Sequence, residues 1–502
     1  MDRFEYEGIG FWVARRAELT GARVAIRHQG HDITYRDLDA RTNRAAGALQ
    51  TLGVGKGDRL AILAKNSPEY AEVFLACAKL GAIVVPLNWR LTPSEIEFQV
   101  NDSGAATLVY ESEFSEAVDV FRPATGIKEA LELGSTFEEA LAGSGEEEPG
   151  VSIEGDDVLA LIYTSGTTGR PKGAMLTHAN FFWTNLNILL AIDITQDERS
   201  VMVLPMFHVG GWNVNTLSVW WKGGTVLVER EFDASGCLRL VEAERATSMM
   251  GVPAIYLAMT QAPEFESADL SSLRHVVCGG APAPESLIRT WEERGVKFIQ
   301  GYGLTEAAPN SLVLPPEDSR RKLGAAGRPY FYADVRVVGE NDEPVGAGGK
   351  GEIVIRGPSI MPGYWELPLE TAHALRGGWL RTGDVARLDD EGYAYIVDRV
   401  KDMIISGGEN VYPAEIENVL YEHPAVAEAA VIGVPDEKWG EAPLAVIVTK
   451  PGEAVPAEDV LAFCRERLAK FKTPKRVEFV DALPRTPSGK VIKHELRDRF
   501  VS

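Results

Sequence analysis

The feature that most constrains this chain is a beat of strand-like and helix-like segments sustained over its first three hundred residues. Residues 58–64 read as a buried strand. Ser67 then supplies an N-cap and Pro68 a first-turn proline, opening a helix that runs to Gly81. Residues 82–87 are β-branched and apolar, hence another strand. The beat recurs at 158–163, 201–204, 225–228, 274–278 and 297–300. Such alternation argues for an α/β protein with doubly wound parallel sheets. Around residue 320 the rhythm changes. Residues 334–338, 351–356, 379–388 and 392–398 are short strands separated by turn residues, expected to form a small, mainly antiparallel β sub-domain over about 320–398. After Arg399 the chain restarts as a compact α+β unit, with strands at 403–406, 427–434 and 444–449 and helices at 413–421 and 460–469. The boundary falls at 400–402, giving an N-terminal domain of residues 1–400 and a C-terminal domain of 401–502 that ends in a charged, loop-like tail.

Length and charge narrow the function. A chain of 502 residues can bury a large core, and its 45% hydrophobic and 25% charged content is that of a soluble globular protein. The start, MDRFEYEGIGFW, lacks the marks of a signal peptide, and the most apolar stretch, 74–87, is interrupted by Lys79, Gly81 and Pro86. It also falls short of the roughly 20 apolar residues that span a bilayer, so a cytoplasmic location is expected. Cys77, Cys237, Cys278 and Cys464 are scattered through apolar runs, as small buried hydrophobes are. A net charge of −22 repels nucleic acid and anionic membranes. It would repel a phosphorylated small substrate too, so such phosphates must meet local cations or aimed backbone N–H groups.

The segment from Tyr163 to Gly173 meets that need. A strand runs into Thr164, Ser165, Gly166, Thr167, Thr168 and Gly169, with Lys172 following. Glycines let backbone approach an anion, hydroxyls donate hydrogen bonds, and the lysine adds a point charge. The string is not a Walker A sequence. A flexible linker of the same composition would not need the apolar strand that feeds it. This loop resembles the signature of the adenylate-forming (acyl-activating) superfamily, which includes acyl-CoA synthetases, peptide-synthetase adenylation domains and beetle luciferases. The superfamily's other motifs follow in order. Residues 205–211, with His208, Val209 and Gly210, resemble its acid-pocket motif. Residues 279–282 and 300–306 resemble its adenine and magnesium motifs, and 381–384 and 398–402 its ribose and hinge motifs. Residues 484–490 resemble its catalytic-lysine motif.

The resemblance implies a fold of two doubly wound α/β sub-domains plus a small β-barrel-like one, capped by a small mobile C-terminal domain. It implies ATP, magnesium and coenzyme A as reactants or cofactors. Tyr302, with Gly303 and Thr305, would hold adenine, and Gly280, Ala281 and Pro282 its other face. Asp384 would accept from the ribose hydroxyls, Arg399 would add a nearby cation, and Glu306 would bind magnesium. Lys490 would stabilise the charge that grows as a carboxylate attacks the α-phosphorus. A swing about Lys401 would then bring Ser406, Gly407 and Gly408 to the site as a channel for the pantetheine arm. His208 reads equally as a gate where thiol meets adenylate or as a packed histidine. No Ser-His-Asp or Cys-His arrangement is apparent.

Gly210, Gly279 and Gly301 leave room for a long apolar acid, and no cation in these stretches stands ready for a second carboxylate. Nor is there the acidic residue with which amino-acid adenylation domains hold an ammonium. A medium- or long-chain fatty acid is therefore favoured, by likeness to bacterial fatty-acyl-CoA synthetases. Trp212 keeps an aryl acid of the benzoate or hydroxycinnamate type as the alternative, and a ligase loading a carrier protein as a further one. No nucleic acid or membrane span is expected, and a homodimer is open.

Overall fold

The computed structural model of the chain describes residues 8–501 apart from 165–169, 282, 340, 400–401, 403, 407–408, 437–438, 454, 469, 471 and 487–490. The alternating segments form two sheets. A six-stranded sheet runs Glu129–Glu132, Thr107–Tyr110, Arg59–Leu63, Ile83–Pro86, Val158–Thr164, Lys172–Thr177, with only the last pair antiparallel. A nine-stranded sheet has a parallel centre in the order Lys297–Tyr302, His275–Cys278, Ser248–Gly251, Arg199–Met202, Thr225–Val228, Val24–His28. One apolar cluster takes side chains from both, such as Leu60 and Val84 from the first and Ile26 and Val226 from the second.

The helix Pro68–Leu80 lies in that cluster, and its ends follow from local chemistry. Ser67 Oγ accepts from Tyr70 N at 3.1 Å, Pro68 opens the first turn, and Gly81 closes the helix at φ +65° with its N–H on Cys77 O. All its residues but Glu69 are buried. The most apolar stretch of the sequence is thus an interior helix, and among the described residues no helix is long and apolar enough to cross a membrane. All four cysteines are buried free thiols, and burial pushes Cys77 and Cys237 up to about 12.

The change of rhythm near residue 320 marks an antiparallel sheet in the order Asp334–Val338, Lys350–Arg356, Leu380–Leu388, Ala394–Arg399. A bridge from Gly327 to Ala394 joins it to the edge of the nine-stranded sheet. The C-terminal unit has its own sheet, with the long hairpin Val426–Asp436 and Gly440–Thr449 at its centre and Arg476–Phe479 parallel beside it. Its separate core contains Ile404, Ile416, Leu420, Val431, Ile447 and Val460. The expected boundary lies between the strand ending at Arg399 and the strand Ile404–Ser406. Lys401 itself is outside the described residues. The tail differs from expectation, being a helix over Lys493–Phe500 rather than a loop. Its high charge hid a short apolar seam, in which Leu496 is buried against Ile432 and Leu444 and Phe500 packs one turn on. Glu495 in the first turn and Arg497 and Arg499 in the last suit the helix dipole.

Candidate active site

The strand Val158–Thr164 delivers the glycine- and hydroxyl-rich loop, and Lys172 opens the antiparallel return strand directly opposite Thr164. Ser165, Gly166, Thr167, Thr168 and Gly169 lie outside the described residues. On the far side, Lys297–Tyr302 ends in a ledge at Tyr302 and Gly303, followed by the 3-10 turn Thr305–Ala307 that carries Glu306. The two sides meet. Thr164 Oγ1 donates to Glu306 Oε1 at 3.3 Å, and Tyr364 OH donates to the same oxygen at 2.9 Å. Lys172 Nζ sits 5.3 Å from the centre of the Tyr364 ring. Burial, with the Glu306 carboxylate second, holds the Tyr364 phenol well above its ordinary range, so it stays a donor.

Glu306 is 9% exposed, and its second oxygen accepts nothing among the described residues. A buried carboxylate with one free oxygen, beside a lysine and a phosphate-type loop, fits a hard cation that bridges phosphates. Tyr364 had no signal in the sequence. It arrives because residues 363–365 add to the strand Lys172–Thr177, through Met175 N to Gly363 O at 3.0 Å and Trp365 N to Gly173 O at 2.8 Å.

Tyr302 and Asp384, 82 residues apart in sequence, are joined by a 2.7 Å hydrogen bond from the phenol to Oδ2. Asp384 is 6% exposed, on Leu380–Leu388, and Gly383 before it has φ +70°. Arg399 is paired in backbone register with Asp384. Gly303 is a packing requirement, since a Cβ there would lie 1.2 Å from Pro309 O. Gly280 and Ala281 are exposed, with Gly280 at φ +81°; Pro282 lies outside the described residues. Gln300 joins these segments, accepting from Ala283 N at 3.3 Å and donating to Ala325 O at 3.1 Å.

In the acid motif, His208 precedes the short helix Val209–Asn213 and is partly exposed, its ring 5.9 Å from that of Phe207. Asn66 pins the loop before it, donating to Leu204 O at 3.0 Å and accepting from Met206 N at 2.8 Å. Trp212 departs from expectation. It is fully buried, stacked on Phe74 at 3.9 Å, with Nε1 on Met206 O at 2.7 Å. The helix turns the indole into the core, so it cannot face an acid. Val209 is buried as well. Gly210 and Gly279 do remove bulk: a Cβ at Gly210 would touch Leu204, and one at Gly279 would touch Gly301 O and Met250 Cε.

Beside this motif a groove is lined by Trp89, Arg90, Leu204, Pro205 and Arg230, among others. Lys65 and Arg90 lie over the Trp89 ring at 5.2 and 4.4 Å. Lys65 pairs with Glu113 at 2.7 Å and Glu231 at 2.9 Å, and Arg230 with Glu111 and Glu113. These cations, far apart in sequence, were not foreseen. In the C-terminal unit Ser406 is buried at the end of Ile404–Ser406, while Gly407, Gly408 and Lys490 lie outside the described residues.

Comparison with known proteins gives the family. Residues 13–365 match the model of the AMP-binding enzyme family, and residues 415–490 that of the AMP-binding enzyme C-terminal domain. The chain is 47% identical over 494 residues to a feruloyl-CoA synthase of Amycolatopsis sp, covering 98% of this chain and 99% of that protein. It is 40% identical over 500 residues to the long-chain-fatty-acid–CoA ligase FadD13 of Mycobacterium tuberculosis, covering 98% and 99%. Among solved structures, the anthranilate CoA ligase AuaEII in complex with anthranoyl-AMP superposes with a TM-score of 0.94 at 28% identity, covering 98% of this chain and 97% of that one.

Proposed function

The chain belongs to the AMP-binding enzyme family, as an acid–thiol ligase that uses ATP, magnesium and coenzyme A, and from that premise we propose that its acid is an aryl acid of the hydroxycinnamate type. The observation that carries the reaction is the convergence of Tyr302, Asp384, Glu306, Thr164, Lys172 and Tyr364 from four distant segments. Tyr302 and Gly303 form the adenine ledge. Asp384, oriented by the Tyr302 phenol, would accept from the ribose hydroxyls. Lys172 and the loop before it hold phosphates, and Glu306 is the protein ligand for magnesium, which neutralises phosphate charge when bound.

The acid's carboxylate oxygen attacks the α-phosphorus, the acyl–phosphate bond forms, and pyrophosphate leaves with the electron pair. Lys490 stabilises the charge on that transition state. In the second step the thiol sulfur of coenzyme A attacks the acyl carbon and AMP leaves. Arg90, Arg230 and Lys65 line the approach of coenzyme A's phosphates, at the mouth beside Leu204 and Pro205.

The fatty-acid preference gives way to the aryl reading on one ground. The feruloyl-CoA synthase shares more of this sequence than the fatty-acyl ligase does, 47% against 40%. Pyrophosphate release across acetate, octanoate, palmitate, benzoate, ferulate and 4-hydroxycinnamate, with and without coenzyme A, tests the proposal. Turnover should be highest with the hydroxycinnamates and should need coenzyme A. A rate that climbs with alkyl length would return the enzyme to the fatty acids.

A further inference from the structure

The return strand Lys172–Thr177 carries along one edge a strap of residues 361–365. Ala174 stands opposite Tyr364 in an antiparallel bridge, with Met175 N on Gly363 O and Trp365 N on Gly173 O. The strap also clamps the turn that carries Glu306. Met361 N donates to the backbone oxygen of Glu306 at 2.9 Å, and Tyr364 OH reaches its Oε1 at 2.9 Å. Thr371 locks the strap from behind. Its Oγ1 accepts from Tyr364 N at 2.9 Å and donates to Leu367 O at 2.8 Å.

Strand alternation sets what stands beside the phenol. Lys172 and Ala174 share a face of their strand, so the residue opposite Ala174 is the diagonal neighbour of Lys172. The Lys172 ammonium accordingly rests 5.3 Å from the centre of the Tyr364 ring, and it pairs with no carboxylate among the described residues. Glu306 in turn meets no cation among them: two neutral hydroxyls, of Thr164 and Tyr364, bind its one engaged oxygen. Two opposite charges thus lie against one side chain without touching each other. Paired, they would spend the lysine that faces phosphate and the carboxylate that faces magnesium on one another.

We propose that Tyr364 is a positioning residue that keeps these two charges apart. Its hydroxyl anchors Glu306 so that the other oxygen stays open to the metal, and its ring holds Lys172 for the phosphates. The inference rests on the roles read above for Glu306 and Lys172, and adds the residue that lets both serve at once. A neutral donor directs the carboxylate without cancelling its charge. A ring face holds an ammonium loosely enough for an arriving phosphate to take it.

The test separates hydroxyl from ring and reads binding rather than turnover. Manganese, standing in for magnesium, is titrated into the enzyme–ATP complex and followed by the electron paramagnetic resonance of the free ion; metal-free ATP binding is measured by calorimetry in the presence of a chelator. Tyr364→Phe keeps the ring and drops the hydroxyl, so manganese affinity should fall by about tenfold or more while metal-free ATP binds within about twofold of wild type. Tyr364→Leu drops both and lets Lys172 close on Glu306, so metal-free ATP should also bind several-fold more weakly. Adding Glu306→Gln to Tyr364→Leu should then recover metal-free ATP binding, because the lysine is released. Wild-type manganese affinity in Tyr364→Phe overturns the inference. So do equal losses of manganese and metal-free ATP in that variant, which would leave the phenol only packing the strap. An ATP loss in Tyr364→Leu that Glu306→Gln does not relieve overturns the separation of the two charges. A wild type that takes up no manganese with ATP would instead fail the reading of Glu306, and this inference with it.

Discussion

At the scale of single residues, the site is built from groups whose neighbours settle their protonation and direction. Glu306 keeps one oxygen bound by Thr164 and Tyr364 and the other open among the described residues. Glu306→Gln keeps the shape and replaces the charge with a donor, so we expect kcat for adenylate formation to fall by about 100-fold or more, on the scale of one transition-state electrostatic contact. Isotope exchange between ATP and pyrophosphate measures it; undiminished exchange would remove Glu306 from the magnesium site. A second residue acts on stability. His178 begins the helix that follows the return strand, and its Nδ1 accepts from Ile9 N at 3.1 Å. Burial lowers it to about 4 from 6.5. The folded imidazole is therefore neutral where the unfolded one takes up a proton, so the unfolded state binds more protons between those values. Stability is full above about pH 6.5 and drains as pH falls toward 4, by roughly 3 kcal/mol at most. Urea unfolding at pH 5 and pH 7.5 should show a steeper loss for the wild type than for His178→Asn, and parallel losses would exclude this histidine as the cause.

At the scale of elements, what could be read from the sequence was whatever is decided locally. The helix Pro68–Leu80 declares its cap, first-turn proline and left-handed glycine within the fifteen residues from Ser67 to Gly81, and its bounds match expectation. The strands Thr225–Val228 and Asp334–Val338 match to the residue because each is a short β-branched run between turns. The helix Lys493–Phe500 was missed because its burial depends on Ile432 and Leu444, more than fifty residues away. The same reason hid Tyr364 and Arg230, whose places come from segments brought together only by the sheets. Trp212 went the other way: its place in the acid motif was legible, but helical phase turned it into the core. Gly303 shows an element-scale constraint plainly. Gly303→Ala would put a methyl 1.2 Å from Pro309 O, and backbone on both sides of the ledge must then part. We expect ATP affinity to drop by at least about tenfold while the C-terminal unit, with its separate core, stays folded. Titration with a non-hydrolysable ATP analogue, alongside circular dichroism, checks this, and unchanged affinity would show that the ledge is not where adenine sits.

At the scale of the molecule, two bodies with separate cores share one set of reactions, and their division of labour can be tested at the joint. The β sub-domain ends at Arg399 and the C-terminal sheet begins at Ile404, so four residues carry the connection. The cores do not merge across it, although Lys350 lies 4.1 Å over the Tyr412 ring. A contact of this kind is worth on the order of 1 kcal/mol, which a swing of the small body can give up. If Lys490 serves the first half-reaction and Lys401 the change between the two, as proposed, their losses should differ in kind. Lys490→Ala should lower adenylate formation by about 100-fold or more while leaving attack of coenzyme A on supplied acyl-adenylate within a few-fold of wild type. Lys401→Pro fixes φ near −65° at the joint; adenylate should form at the wild-type rate and accumulate, with thioester production slowed. Quenched-flow measurement of acyl-AMP and acyl-CoA in a single turnover separates the two variants. Equal loss of both steps in Lys490→Ala would mean that the lysine holds the fold of its domain rather than the charge of one transition state. Normal turnover in Lys401→Pro would mean that one arrangement of the two bodies serves both steps, and Ser406 would then have to reach the thiol's path without any swing.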